Sequence, residues 1–144
     1  MSHETVLIGF LVALTFHELT GISPGGIVVP AFLALYAGEP ARLAGTAIAA
    51  AGGLGIYRLL SARLILFGRR RFFVLVTASG LAALASGMIV PALLPEAAGW
   101  RAVGIVVPGL LADACRKQGT LVTASAAFTA MTVTYLLSRL ILSW

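Results

Sequence analysis

Apolar positions run almost unbroken along the chain, and its few charges and Gly/Pro clusters cut it into six pieces: residues 6–16, 27–37, 43–67, 72–90, 103–114 and 121–144. A helix needs about 20 apolar residues to cross a bilayer. The third, fourth and sixth pieces reach that length. The first is marginal unless its helix continues through His17 and Glu18, and the second and fifth are too short for an unbroken crossing. Between the charges lie charge-free stretches at 19–38, 72–95 and 118–138. The pattern predicts an all-α polytopic membrane protein forming one integral-membrane domain over 1–144.

The two short pieces carry the same string. Gly26-Ile27-Val28-Val29-Pro30 is repeated as Gly104-Ile105-Val106-Val107-Pro108, 78 residues later. Further on, Leu59-Leu60-Ser61-Ala62-Arg63-Leu64-Ile65-Leu66 matches Leu136-Leu137-Ser138-Arg139-Leu140-Ile141-Leu142 with one deletion. Two tandem three-element units follow, repeat one over about 5–67 and repeat two over about 72–144. Proline lacks an amide hydrogen and disfavours a helical residue before it, so Gly-Ile-Val-Val is expected to run extended, with Pro30 or Pro108 first in a half-helix. Four extended and eight helical residues make roughly 25 Å, nearly a bilayer core. Such a broken element must be surrounded by protein, because its unpaired backbone groups cannot face lipid.

Composition sharpens this picture. Of 144 residues 60% are hydrophobic and only 10% charged, and mean hydropathy is +1.03, whereas soluble domains carry about a quarter charged residues. No extramembrane catalytic domain fits in the remainder. Ten Lys and Arg against five Asp and Glu leave +5. The densest cluster, Arg69, Arg70 and Arg71, reads as a basic cytoplasmic loop over 68–71, and Arg116-Lys117 should be cytoplasmic as well. Both conditions hold if every piece crosses, which places the termini outside and inverts the two repeats. If the short pieces re-enter instead, Arg116-Lys117 falls outside. The start Met1-Ser2-His3-Glu4 has no basic region of the kind a signal peptide needs, so the first apolar segment is expected to be retained.

Candidate chemistry is sparse. His3 and His17 lack a metal-binding spacing, Cys115 has no partner cysteine, and no P-loop motif occurs, so no metal or cofactor site is expected in this chain. No catalytic residue set can be assembled either. The half-helix starts at Pro30 and Pro108 would present partial positive charge to an anion; equally, the two prolines could be packing kinks. Arg58, Arg63 and Arg139 lie within or at the ends of apolar helices, where a charge is costly. Snorkelling to the interface is the simpler account of Arg63. Arg58 is read as deeper and able to pair with Glu18 or a substrate carboxylate. Asp113 is read as closing the second half-helix, compensated by Arg116 or Lys117. Small residues at four-residue spacing, such as Ala49 and Gly53, permit close approach of a partner helix in this chain or another.

Three motifs together resemble one family. They are Glu18-x-Thr20-Gly21-Ile22-x-Pro24-x-Gly26-x-Val28-Val29-Pro30, the Gly68-Arg69-Arg70-Arg71-Phe72 segment, and Gly104-x-Val106-Val107-Pro108-Gly109-Leu110-x-Ala112 with Gln118-Gly119. In order and at family length they resemble the PgsC/CapC family, the small membrane subunit of the bacterial poly-γ-glutamate synthase or capsule biosynthesis complex. The resemblance implies a multi-pass protein of the bacterial cytoplasmic (inner) membrane. Its implied partners are a PgsB/CapB-like amide ligase subunit, which would hold ATP and a divalent metal, and a PgsA/CapA-like subunit linked to export. An anionic poly-γ-glutamate chain and the lipid bilayer are further expected partners. No nucleic acid is expected, and a homo-oligomer is compatible. On that reading Glu18, Thr20, Gly21, Pro24, Gly26, Pro30, Arg58, Arg63, Gly104, Pro108 and Arg139 line or shape a polymer route. Arg69, Arg70, Arg71, Asp113, Arg116, Lys117, Gln118 and Gly119 would face the ligase. The alternative is a small inverted-repeat transporter or channel for a small anion.

Overall fold

The structure is a computed structural model that describes residues 2–65, 67–95, 99 and 101–143; expectations that fall on Met1, Leu66, Glu96 and Trp144 lie outside the described residues. The described elements are helices: α1 (Ser2–Thr20), α2 (Val28–Leu35), α3 (Pro40–Ser61), α4 (Arg69–Leu93), α5 (Val106–Gln118) and α6 (Thr120–Leu142). Three of them, α3, α4 and α6, are long and apolar enough to cross a membrane. α1 does continue through His17 and Glu18, the condition the sequence set for it.

The short elements differ from expectation at their starts. Helix begins at Val28 and at Val106, so Pro30 and Pro108 are each the third helical residue, and the valines before them are helical. The reason is that first-turn N–H groups have no intrahelical acceptor, so a proline there removes no bond. Ile27 already has helical angles (φ −69°, ψ −32°). The change of direction is moved upstream onto glycines in the left-handed region: Gly25 (φ 94°), Gly26 (φ 87°) and Gly104 (φ 69°). Only glycine takes those angles without steric cost. The helices also end differently. α2 has 8 residues and α5 has 13, or about 12 and 20 Å.

Two further readings change. The third apolar piece stops being helical at Ser61, and residues 62–64 form turns. Its match in the second half, 136–142, is wholly helical, so these two similar strings fold differently. Arg69, Arg70 and Arg71 form the first turn of α4 and are not a loop.

Chain contacts divide the protein into two compact units, Met1–Gly38 with Ala114–Trp144, and Glu39–Asp113. In the first, α1, α2 and α6 pack together. A Cβ added to Gly9 of α1 would lie 2.5 Å from the Ala31 backbone of α2, so only glycine permits this crossing. α6 contributes a face of Thr123, Ala126, Ala127, Ala130, Met131 and Thr134. In the second unit α3 packs on α4. A Cβ on Gly53 would lie 2.7 Å from Ser79 Cα, and one on Gly109 of α5 would lie 2.7 Å from Val76 Cα of α4. The small-residue stripe of α3 therefore finds its partner helix within this chain.

Both units are built with small residues inside and large ones outside. Ala, Gly, Ser and Thr dominate the buried positions, while Leu121 (86% exposed), Met88 (77%) and Phe128 (67%) face outward. In water this would forfeit the hydrophobic contribution of the largest side chains. In lipid there is no such loss, and association comes from close backbone approach.

Candidate functional site

The start of each short helix is a glycine loop held by one polar side chain. In the first unit, the side-chain amide of Gln118 pairs with both backbone groups of Ser23: Ser23 N–H donates to Oε1 at 2.9 Å, and Nε2 donates to the Ser23 carbonyl at 3.2 Å. Ser23 Oγ in turn accepts from Gly26 N–H at 2.9 Å. Pro24 is fully buried beneath this turn. In the second unit the buried Thr46 hydroxyl accepts from Val103 N–H at 2.8 Å and donates to the Arg42 carbonyl, also at 2.8 Å. Arg42 itself pairs with Glu39 at the start of α3.

Each loop borders a cavity. Beside the first is one of about 240 Å³ lined by Ala13, Leu14, His17, Ser23, Pro24, Gly26 and Ile27. Beside the second is one of about 340 Å³ lined by residues that include Arg101, Gly104 and Ile105, against Leu84 and Met88 of α4. Gly26 and Gly104, and likewise Ile27 and Ile105, are 78 residues apart, so the same two positions of the shared string line a cavity in each unit. Each wall holds one side chain with N–H donors, His17 or Arg101, next to a helix start whose N–H groups carry partial positive charge.

The remaining predicted residues distribute as follows. Thr20 and Gly21 end α1: Gly21 N–H donates to the His17 carbonyl at 2.8 Å, and Thr20 Oγ1 donates to the Phe16 carbonyl at 2.6 Å. Glu18 is exposed near that end and outside the wall of the first cavity. Pro30 and Pro108 are buried. Arg58 lies in the last turn of α3 and not deep within a span; there a cation complements the helix dipole. Arg63 sits in the turn after α3, and Arg139 in the last turn of α6 has its guanidinium 5.5 Å from the centre of the Tyr135 ring. Asp113 is buried inside α5, which runs five residues further. It does not close that helix. Asp113, Arg116 and Lys117 each engage a partner. Gly119 (φ 97°) caps the start of α6.

Ser23, Thr46, His17 and Arg101 were missed. The Ser23-Pro24-Gly25 turn signal was present, but its bracing by a residue 95 positions away was not visible. Thr46 stood in a small-residue run that reads as packing alone.

Comparison with known proteins gives one consistent result. The chain is 34% identical over 140 residues, 92% of this chain and 94% of the relative, to the PGA biosynthesis protein CapC of Bacillus subtilis (strain 168). It is 31% identical over 139 residues, 91% of this chain and 93% of the relative, to the capsule biosynthesis protein CapC of Bacillus anthracis. No solved structure matches. The model of the family described as capsule biosynthesis CapC matches residues 8–124, which takes in both glycine loops, both short helices and the Gln118 brace, and the chain belongs to that family.

Proposed function

We propose that this chain is the integral-membrane subunit of a poly-γ-glutamate synthase and export complex in the cytoplasmic membrane. It anchors an ATP-dependent amide ligase and helps pass the anionic polymer across the bilayer. ATP and the divalent metal belong to the ligase, and a PgsA/CapA-like subunit completes the complex. The observation that carries the reading is the pair of cavities at the two short-helix starts, each with an amide-rich helix end and one N–H-bearing side chain. A polymer with one carboxylate per residue needs positive potential without tight binding. Partial charges and a single base supply that better than a row of ion pairs. Glu18 and Arg58 stand outside both cavity walls, so His17 in the first unit and Arg101 in the second are the groups each cavity offers to the polymer.

An inverted arrangement of the two halves is part of the proposal. Repetition is supported by helix starts at Val28 and Val106, 78 residues apart, and by Ala31 and Gly109, also 78 apart, as contact points of the short helices with α1 and α4. The inversion rests on the basic clusters, which share the cytoplasmic side only if every piece crosses. Arg69, Arg70, Arg116 and Lys117 would then face the cytoplasmic ligase.

Export is tested with a His17→Gln, Arg101→Gln double variant. Surface polymer should fall several-fold while the ligase still co-purifies, and unchanged polymer removes the route. Topology is tested with cysteines placed at Arg70 and Lys117. Both should resist a membrane-impermeant thiol reagent applied from outside, and labelling of Lys117→Cys refutes the inversion.

A further inference from the structure

Two cavities at the connection between α3 and α4 play no part in that reading. One, of about 280 Å³, is lined by Tyr57, Ser61, Arg63, Phe67 and Arg71 with Ala62, Leu64 and Ile65. The other, of about 510 Å³, is lined by Leu59, Leu60, Arg63 and Leu64. Arg63 and Leu64 line both. A basic chamber with two arginines and two hydroxyl-bearing residues thus adjoins a chamber walled by leucines, and among the described residues no acid lines either.

The electrostatics of α4 sharpen this. Its first turn holds Arg69, Arg70 and Arg71 and no acidic residue, and its N-cap Gly68 offers no side-chain cap. Cations at the positive end of a helix dipole are unfavourable. An anion at this end relieves that repulsion. The Arg71 guanidinium lies 5.4 Å from the centre of the Phe67 ring, a cation–π contact at the edge of the basic chamber. Leu59 and Leu64, which line the apolar cavity, are exposed.

We propose that the two cavities form one site for an anionic phospholipid. The phosphate sits between Arg63 and Arg71 in the basic chamber, and an acyl chain follows Leu59, Leu60 and Leu64 in the apolar one. A free phosphate or a polymer carboxylate would satisfy the arginines and leave the leucine chamber unfilled. A lipid of the surrounding leaflet fills both, as basic pockets at the membrane surface do elsewhere.

The test uses the full chain in neutral detergent, titrated with phosphatidylglycerol or phosphatidylcholine, with retained lipid read by native mass spectrometry. Phosphatidylglycerol should be retained in preference. Arg63→Gln and Arg71→Gln should each lower its retention about five-fold, the effect of one basic residue near an anionic surface. Leu64→Ser should lower it too, whereas Arg139→Gln, in a different helix end, should not. Equal retention of phosphatidylcholine, displacement by inorganic phosphate, or wild-type retention by the double arginine variant would each overturn the proposal. Arg63 lies outside any helix and is exposed, so its variant remains informative if Arg71→Gln fails to fold.

Discussion

The segments that begin at Gly26 and Gly104 carry the same five residues and start their helices at the same place in the string, yet they are held by different means. The first loop is braced by a side-chain amide that pairs with both backbone groups of Ser23. The second is braced by one buried hydroxyl, Thr46, that takes the Val103 N–H. The lengths differ in step with this. α2 stops after 8 residues, whereas α5 continues for 13 and so carries Gln118 to the first loop. What the five residues dictate is local: a left-handed glycine, a helix start and a tolerated proline. How the loop is held depends on which distant polar group the fold delivers to it.

The largest effects are expected at the helix crossings. Gly9→Leu and Gly109→Leu each push a side chain into a neighbouring backbone under 3 Å away. Each should cost about 3 kcal/mol or more, seen as loss of the folded, monodisperse protein in detergent. If only one of the pair has this effect, the short helices are not packed in equivalent ways. Next is Thr46→Val, which keeps the shape and leaves a buried N–H without a partner. A cost of about 2 kcal/mol is expected, read as a drop in the thermal midpoint and faster hydrogen exchange at Val103. Slow exchange there would show that the hydroxyl is not the brace.

Smaller effects are expected at the loops themselves. Gly26→Ala and Gly104→Ala meet no atom closer than 3.9 Å, so their cost is backbone strain alone, roughly 1–2 kcal/mol and similar in both copies. A clear inequality in their thermal midpoints would mean that the two strings do not impose the same turn. Gln118→Leu breaks two hydrogen bonds, but these are only partly buried and water can replace them. It should therefore cost about 1 kcal/mol, less than Thr46→Val. Its signature is protease cutting between Gly21 and Gly26 with the second loop still protected. Equal protection of both loops would show that the amide is not what braces the first.

Much of the fold was legible because lipid makes hydrophobic length decisive. The three helices long and apolar enough to cross a membrane coincide with the third, fourth and sixth apolar pieces, and α1 meets the condition on its length by running through His17 and Glu18. The helices start two residues before the prolines because the freedom of first-turn amides outweighs the restriction on residues that precede proline. Arg58 and Arg63 were read as lying in a helix that reaches position 67, but α3 ends at Ser61. Apolarity alone cannot mark a helix end, since leucines suit a turn at a membrane surface as well as a helix within it. The candidate site was half visible. Its glycines and prolines carry strong local signals, whereas Ser23, Thr46 and Gln118 matter through partners 57 and 95 residues away.

Hydropathy, the repeated Gly-Ile-Val-Val-Pro string and the excess of positive charge are enough to mark a helical membrane protein with two glycine-proline helix starts. Those properties follow from the hydropathy, steric freedom and charge of individual residues, which do not depend on what lies nearby in space. That α3 packs on α4 at Gly53 and Ser79, that Gln118 braces Ser23, and that Arg63 and Arg71 line one cavity emerges from the packed helices alone. Close approach and buried hydrogen bonding are properties of pairs, and pairing across tens of residues is set by how the helices pack.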